Sequence, residues 1–188
     1  FNFQNQWSYN AYKPFKDMEK YIIFLYLVRK TMNFYSENLI SYDYKTYFKS
    51  NQMEIPKFNI IEISKTLDIS KETTRRKILE LEELGILKKD KKKIIITKHG
   101  LEIQRPVDSL KSFTKLLSRF SKLLVLNNYL DKEISPDEFE KIIKYNFTQF
   151  WHYFYEFQIP YMLKWKRYFG EIEKWIVIGT LAYNQNLF

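Results

Sequence analysis

The side chains best equipped for chemistry lie in one run, Ser70-Lys71-Glu72-Thr73-Thr74-Arg75-Arg76-Lys77, and in a second, Lys88-Lys89-Asp90-Lys91-Lys92-Lys93. The first offers hydroxyls and guanidinium forks. Arginine pairs bidentately with guanine O6 and N7, and threonine hydrogen-bonds a base edge or touches a thymine methyl. The second offers ammonium groups: residues 86–98 hold six lysines and one aspartate, a density suited to phosphates and to salt-dependent binding. Both are groups that bind polyanions, and neither is built to make or break bonds.

Reactive constellations are missing from the sequence. The chain has no cysteine and two histidines, His99 and His152, so disulfides, thiolate chemistry and a His/Cys metal set are out of reach. With four glycines in all, it shows no Gly-rich phosphate loop, nucleophile elbow or paired-histidine motif. The expectation is a protein that is not an enzyme, with no catalytic residue, cofactor or metal. His152 reads as a polar neighbour within its helix and His99 as a surface residue.

Thirty-one Lys and Arg against 22 acidic residues give a net charge of +9 and a pI near 9.4, which favours a polyanionic partner. The longest apolar runs, 21–28 and 175–183, fall short of the roughly 20 residues that span a bilayer. The N-terminus carries no leader pattern. A cytoplasmic location and no membrane partner are expected.

These side chains need elements to hold them. Asn59 can cap a helix to Leu67, Asp68-Ile69 can turn, and Ser70 can open a second helix that Gly85 closes. On a helical projection from Thr74, Ile78 and Leu81 fall within about 40° and face inward. Lys71, Thr73, Arg75 and Arg76 then lie toward the outward surface; Leu79 falls there too and is expected to pack on another helix. One of the two arginines is expected to pair with Glu72, Glu80 or Asp68. Residues 86–96 read as a two-stranded hairpin with the lysines at its tip.

Residues 59–100, running from Ile69-Ser70-Lys71-Glu72-Thr73-Thr74-Arg75-Arg76 through Ile78 and Leu81-Glu82-Glu83-Leu84-Gly85-Ile86-Leu87 to Thr97-Lys98-His99-Gly100, resemble winged helix-turn-helix transcriptional regulators of the MarR and IclR kinds. The resemblance implies a homodimer on a near-palindromic operator, with recognition helix 70–84 in the major groove and wing 88–93 on the backbone. The DNA-binding residues on this reading are Ser70, Lys71, Thr73, Arg75, Arg76, Lys77, Lys88, Lys89, Lys91, Lys92 and Lys93. Two alternatives stay open: a winged-helix protein-interaction module of a larger assembly, and a replication-associated DNA-binding protein.

The expected fold class is mainly α, a winged helix-turn-helix domain (three-helix core plus β-hairpin wing) with a flanking N-terminal helix and a C-terminal helical extension. Residues 1–16 form an arm, mobile or packed; 17–100 form the DNA-binding domain with its leading helix at 17–35; 101–188 form a helical region for dimerisation. A short helix is expected within 37–58, ending before Ile55-Pro56. Leu110, Phe113, Leu117, Phe120 and Leu124 recur at gaps of three and four on a helix to about Tyr129, a dimer seam ahead of a core helix. Lys111, Lys115, Arg119 and Lys122 opposite read as a solvated face. Ser135-Pro136-Asp137-Glu138 is a capping box opening one helix through Phe154, which Pro160 stops or kinks before a short helix to Phe169 and a final one over 171–183. The aromatics 147–157 read as packing first and as a pocket for a small lipophilic effector second.

Overall fold

Asp17, Asp43, Asn59, Ser70, Thr97 and Ser135 each accept a hydrogen bond from the backbone of the helix that follows, and these caps set the chain's segmentation. In the computed structural model, which describes residues 2–55, 58–90 and 93–185, the helices are α1 (Asn2–Phe15), α2 (Met18–Glu37), α3 (Tyr44–Lys49), α4 (Ile60–Leu67), α5 (Lys71–Glu83), α6 (Lys98–Ile103), α7 (Val107–Leu126), α8 (Pro136–Tyr145), α9 (Phe147–Phe169) and α10 (Ile172–Gln185). The strands are β1 (Gln52–Ile55), β2 (Leu87–Asp90) and β3 (Lys93–Thr97). The protein is mainly helical, with one small antiparallel sheet.

Residues 21–28 of α2 are buried without a break. A helix apolar on every side must be covered on every side, and α2 is packed by α1, α4, α5, β1 and α9. The core around it is continuous, joining Ile63, Leu67, Ile78 and Leu81 of α4–α5 to Phe147, Trp151, Tyr155 and Ile159 of α9. The described part of the N-terminal arm is packed: Trp7 and Phe15 of α1 are buried, and Trp7 Nε1 donates to the Tyr21 hydroxyl at 3.1 Å. No helix among the described residues is long and apolar enough to cross a membrane.

The sheet holds a strand that the hairpin reading lacks. Its order is β1-β3-β2, with Met53 opposite Ile96 and Ile55 opposite Ile94, so β3 is central and its three isoleucines are buried. In β1 the alternation Gln-Met-Glu-Ile gives exposed, buried, exposed, buried, the period of a half-buried strand. Gly100 fits against this sheet because it lacks a Cβ, which would stand 2.5 Å from the Ile86 carbonyl oxygen.

Several C-terminal boundaries differ from expectation. The helix opened by Ser135 ends at Asn146, where α9 begins; the Thr148 hydroxyl accepts from the Tyr42 amide at 3.0 Å and the Thr148 amide donates to the Tyr42 carbonyl at 3.2 Å. Helix α9 runs through Pro160 to Phe169, because the proline is exposed while Ile159 and Met162 on either side are buried. The backbone bond that proline forfeits is outweighed by this flanking packing. Residues 98–103, which follow the hairpin, form the short helix α6.

Candidate nucleic-acid interface

Helix α5 is seated by its first turn and its inner face. Ser70 Oγ accepts from the Thr73 amide at 3.0 Å and donates to Thr73 Oγ1 at 2.9 Å, so both hydroxyls are engaged in capping. Before them Asp68 adopts φ +51°, and the Ser64 hydroxyl donates to the Ile69 carbonyl at 2.7 Å. This closes a tight turn between α4 and α5, with Ile69 buried beneath it. Thr74, Ile78 and Leu81 are buried, as the projection requires.

The outward row of α5 is Lys71, Glu72, Arg75, Arg76, Leu79 and Glu83, all exposed. Both arginines have a local carboxylate, Arg75 with Glu72 at 3.5 Å and Arg76 with Glu80 at 3.8 Å, and both stay more than half exposed. Such exposed pairs contribute little and exchange readily. Leu79, expected to pack against another helix, is 51% exposed and lies in the middle of the outward row.

Lys77 is a correction to the sequence reading. It is buried, its ammonium lying 2.5 Å from Asp17 Oδ2 and 3.4 Å from Glu80 Oε2. On the helix it sits about 60° from Thr74, within the inward arc, so its stem is buried and its charge is spent inside the protein. Burial alone would lower its pKa, but the hydrogen bond and charge of Asp17, with Glu80, raise it. Asp17 also caps α2 through the Lys20 amide at 2.9 Å, and Lys20 reaches Glu80 at 3.3 Å. The start of α2 is thus pinned to the inner flank of α5.

The hairpin follows directly. Leu87 is buried while Lys88 and Lys89 are exposed on β2. Lys93 is exposed on β3 but paired with Glu54 of β1 at 2.8 Å, whose hydrogen bond and charge raise its pKa. Lys91 and Lys92 lie outside the described residues. The Thr97 hydroxyl, 2.6 Å from the Gly85 carbonyl, also accepts from the Gly100 amide, locking the hairpin base to the end of α5.

No protein-family model, curated protein or solved structure matches the chain. The geometry therefore carries the functional argument by itself. Three supports of α5 escaped the sequence reading: Asp17, Lys20 and Lys166, whose ammonium donates to the Asp68 carbonyl at 2.7 Å from α9. No local signal marks such bonds, which join residues distant in sequence.

The aromatics of 147–157 divide: Tyr153 and Phe157 are exposed, and the others pack. Phe147, Trp151, Phe154 and Tyr155 are buried, with Trp151 and Phe154 centroids 4.8 Å apart. His152 Nδ1 lies 2.9 Å from Asn33 Oδ1, and His99 is exposed. A cavity of about 220 Å³ lies beside them, lined by Trp7, Phe15, Tyr21, Phe24 and Tyr155 among others. On α7 the buried face is Leu110, Thr114, Ser118 and Ser121, while Leu116, Phe120, Leu123 and Leu126 are exposed. The heptad-like stripe is divided: Phe113, Leu117 and Leu124 are half-buried and Phe120 faces out.

Proposed function

We propose that this protein is a sequence-specific double-stranded DNA-binding transcriptional regulator, cytoplasmic and not an enzyme, acting as a homodimer. Helix α5 is its recognition helix and the β2–β3 hairpin its wing. The observation that carries the reading is the element order α2, α3, β1, α4, α5, β2, β3 with β1 on the far side of β3; apart from the short α3 it resembles a winged helix-turn-helix of the MarR- and IclR-like kind. Exposed Lys71, Arg75 and Arg76 on the first turns of α5, and Lys88 and Lys89 on β2, support this reading. The capped N-terminus of α5 adds its dipole toward phosphate. Homodimerisation is supported by the exposed apolar row of α7, a kind of surface that marks contact sites.

The test is selection of bound fragments from random duplex DNA at two salt concentrations. A symmetric consensus is expected. Arg76→Ala should relax preference at one base pair by about 1–3 kcal/mol. Changing Lys88 and Lys89 to Gln should weaken every sequence alike and reduce the salt slope. Retention with neither sequence preference nor salt dependence would refute the proposal. The rival reading, a winged-helix module that binds protein, is favoured by the same α7 row. It wins if that face captures a partner while duplex DNA is not retained.

A further inference from the structure

A groove of about 630 Å³ runs between α2, α4 and α9, lined by Arg29, Thr66, Ile159, Pro160, Leu163, Lys164, Arg167 and Tyr168. Its lining holds three cations and no carboxylate. Arg29 is drawn to Glu156 at 3.4 Å. Among the described residues, neither Lys164 nor Arg167 has a carboxylate within ion-pair distance, and both are exposed.

The groove's position gives those cations a use. Thr66 lies two residues before Asp68, the residue that turns the chain from α4 toward α5. Lys166, between Lys164 and Arg167, donates to the Asp68 carbonyl at 2.7 Å and lies 3.9 Å from Glu19. The end of α9 is therefore fastened beside the turn that presents the N-terminus of α5. The floor is apolar, with Ile159 buried and Leu163 half-buried. An apolar floor under cationic walls suits deoxyribose edges and phosphates together, and a low-dielectric floor focuses the field of the cations.

We propose that this groove is a phosphate-backbone clamp, in which Lys164 and Arg167, backed by Arg29, hold the duplex flanking the segment that α5 reads. The inference rests on the DNA-binding reading and adds a second electrostatic contact, 90 or so residues away in sequence from the first.

The test compares the full chain with Lys164→Gln/Arg167→Gln and with the charge-retaining Lys164→Arg/Arg167→Lys, folding being verified by circular dichroism. The parent should gain affinity as a duplex carrying the selected sequence is lengthened on both sides. The Gln pair should lose that gain, and its salt slope should fall by about 2, roughly a tenfold weakening per contact at 0.1 M salt. The selected sequence should not change, and the charge-retaining pair should restore binding. A Gln pair with the parent's slope and length dependence overturns the clamp, provided that changing Lys88 and Lys89 to Gln lowers the slope. If the parent itself is not retained on duplex DNA, the underlying DNA-binding reading falls with it. Loss of a protein ligand with an unchanged DNA slope also overturns the clamp and assigns the groove to an acidic protein.

Discussion

Replacing Asp17 by asparagine isolates one interaction between α2 and α5. Asparagine caps a helix about as well as aspartate, so the bond from the Lys20 amide survives while the charge facing Lys77 disappears. The side chains of Lys77 and Asp17 are 11% and 21% exposed. The loss should fall between that of an exposed pair, about 0–1 kcal/mol, and that of breaking a buried one, about 3–5 kcal/mol. Glu80 keeps a counter-charge 3.4 Å from Lys77, so about 1.5–2.5 kcal/mol is expected at pH 7. At about 2–4 °C per kcal/mol for a chain of this size, Tm should fall by about 3–10 °C. Burial pushes the Asp17 pKa up, but the Lys77 hydrogen bond, the Lys20 amide and both positive charges outweigh it, leaving it below the ordinary value. A carboxyl with a depressed folded pKa stabilises fully above its unfolded pKa of about 3.9, and that contribution is lost as pH falls through the folded value. Urea unfolding from pH 7 to pH 3, followed by circular dichroism, should therefore show parent and variant far apart at neutral pH and converging in acid. Equal stability at pH 7, or a gap that does not shrink in acid, refutes the brace.

Gly100→Ala places a Cβ against the Ile86 carbonyl and the Ile96 side chain, and should cost about 1–3 kcal/mol by overpacking, with loss of hairpin protection in hydrogen exchange. Gly85→Ala meets no atom within 4 Å but sits at φ +67°, so strain alone should cost about 1–2 kcal/mol; hairpin protection lost equally in both variants would contradict the close-approach argument. Ser70→Ala should cost about 1 kcal/mol by uncapping α5, measured by urea unfolding. Phe120→Glu with Leu123→Glu, at residues each 55% exposed, should leave the monomer's stability nearly unchanged and, on the homodimer proposal, shift sedimentation from dimer to monomer. A parent that is monomeric at every concentration would remove the seam.

How far the fold was legible follows from where its determinants lie. Segment 59–85 was readable because its signals are local: Asn59 and Ser70 cap, Gly85 takes positive φ, and Thr74, Ile78 and Leu81 share an arc. Strand β1 had a faint local sign, the alternation over 52–55, but four residues stabilise nothing until β3 arrives forty residues later. Lys77 could have been placed by the same projection that placed Ile78. Pro160 misled because propensity acts on one residue, whereas the packing that keeps α9 continuous through it comes from other elements, α2 foremost. Leu79 and the divided stripe of α7 show the limit of periodicity. It tells which residues share a face, but not whether the molecule covers that face.

The electrostatics of α5 decide what else a DNA-binding reading requires. The helix carries four cations, Lys71, Arg75, Arg76 and Lys77, and four carboxylates, Glu72, Glu80, Glu82 and Glu83. It brings no net charge to a polyanion, and Lys77 is already committed to Asp17. What it does bring is segregation: apart from Glu72 the carboxylates occupy its second half, beyond the turns that begin at Ser70. Such a helix can discriminate among base edges, yet it cannot supply most of the attraction. That must come from cations elsewhere, and they lie on either side of it in the sequence: Lys88 and Lys89 on the hairpin, and Lys164 and Arg167 at the end of α9. On the proposed DNA-binding reading, the bonds of Lys77 to Asp17 and of Lys166 to Asp68 take on a common purpose, since two separate electrostatic contacts would help a weakly charged reading helix only when all three are held in fixed register.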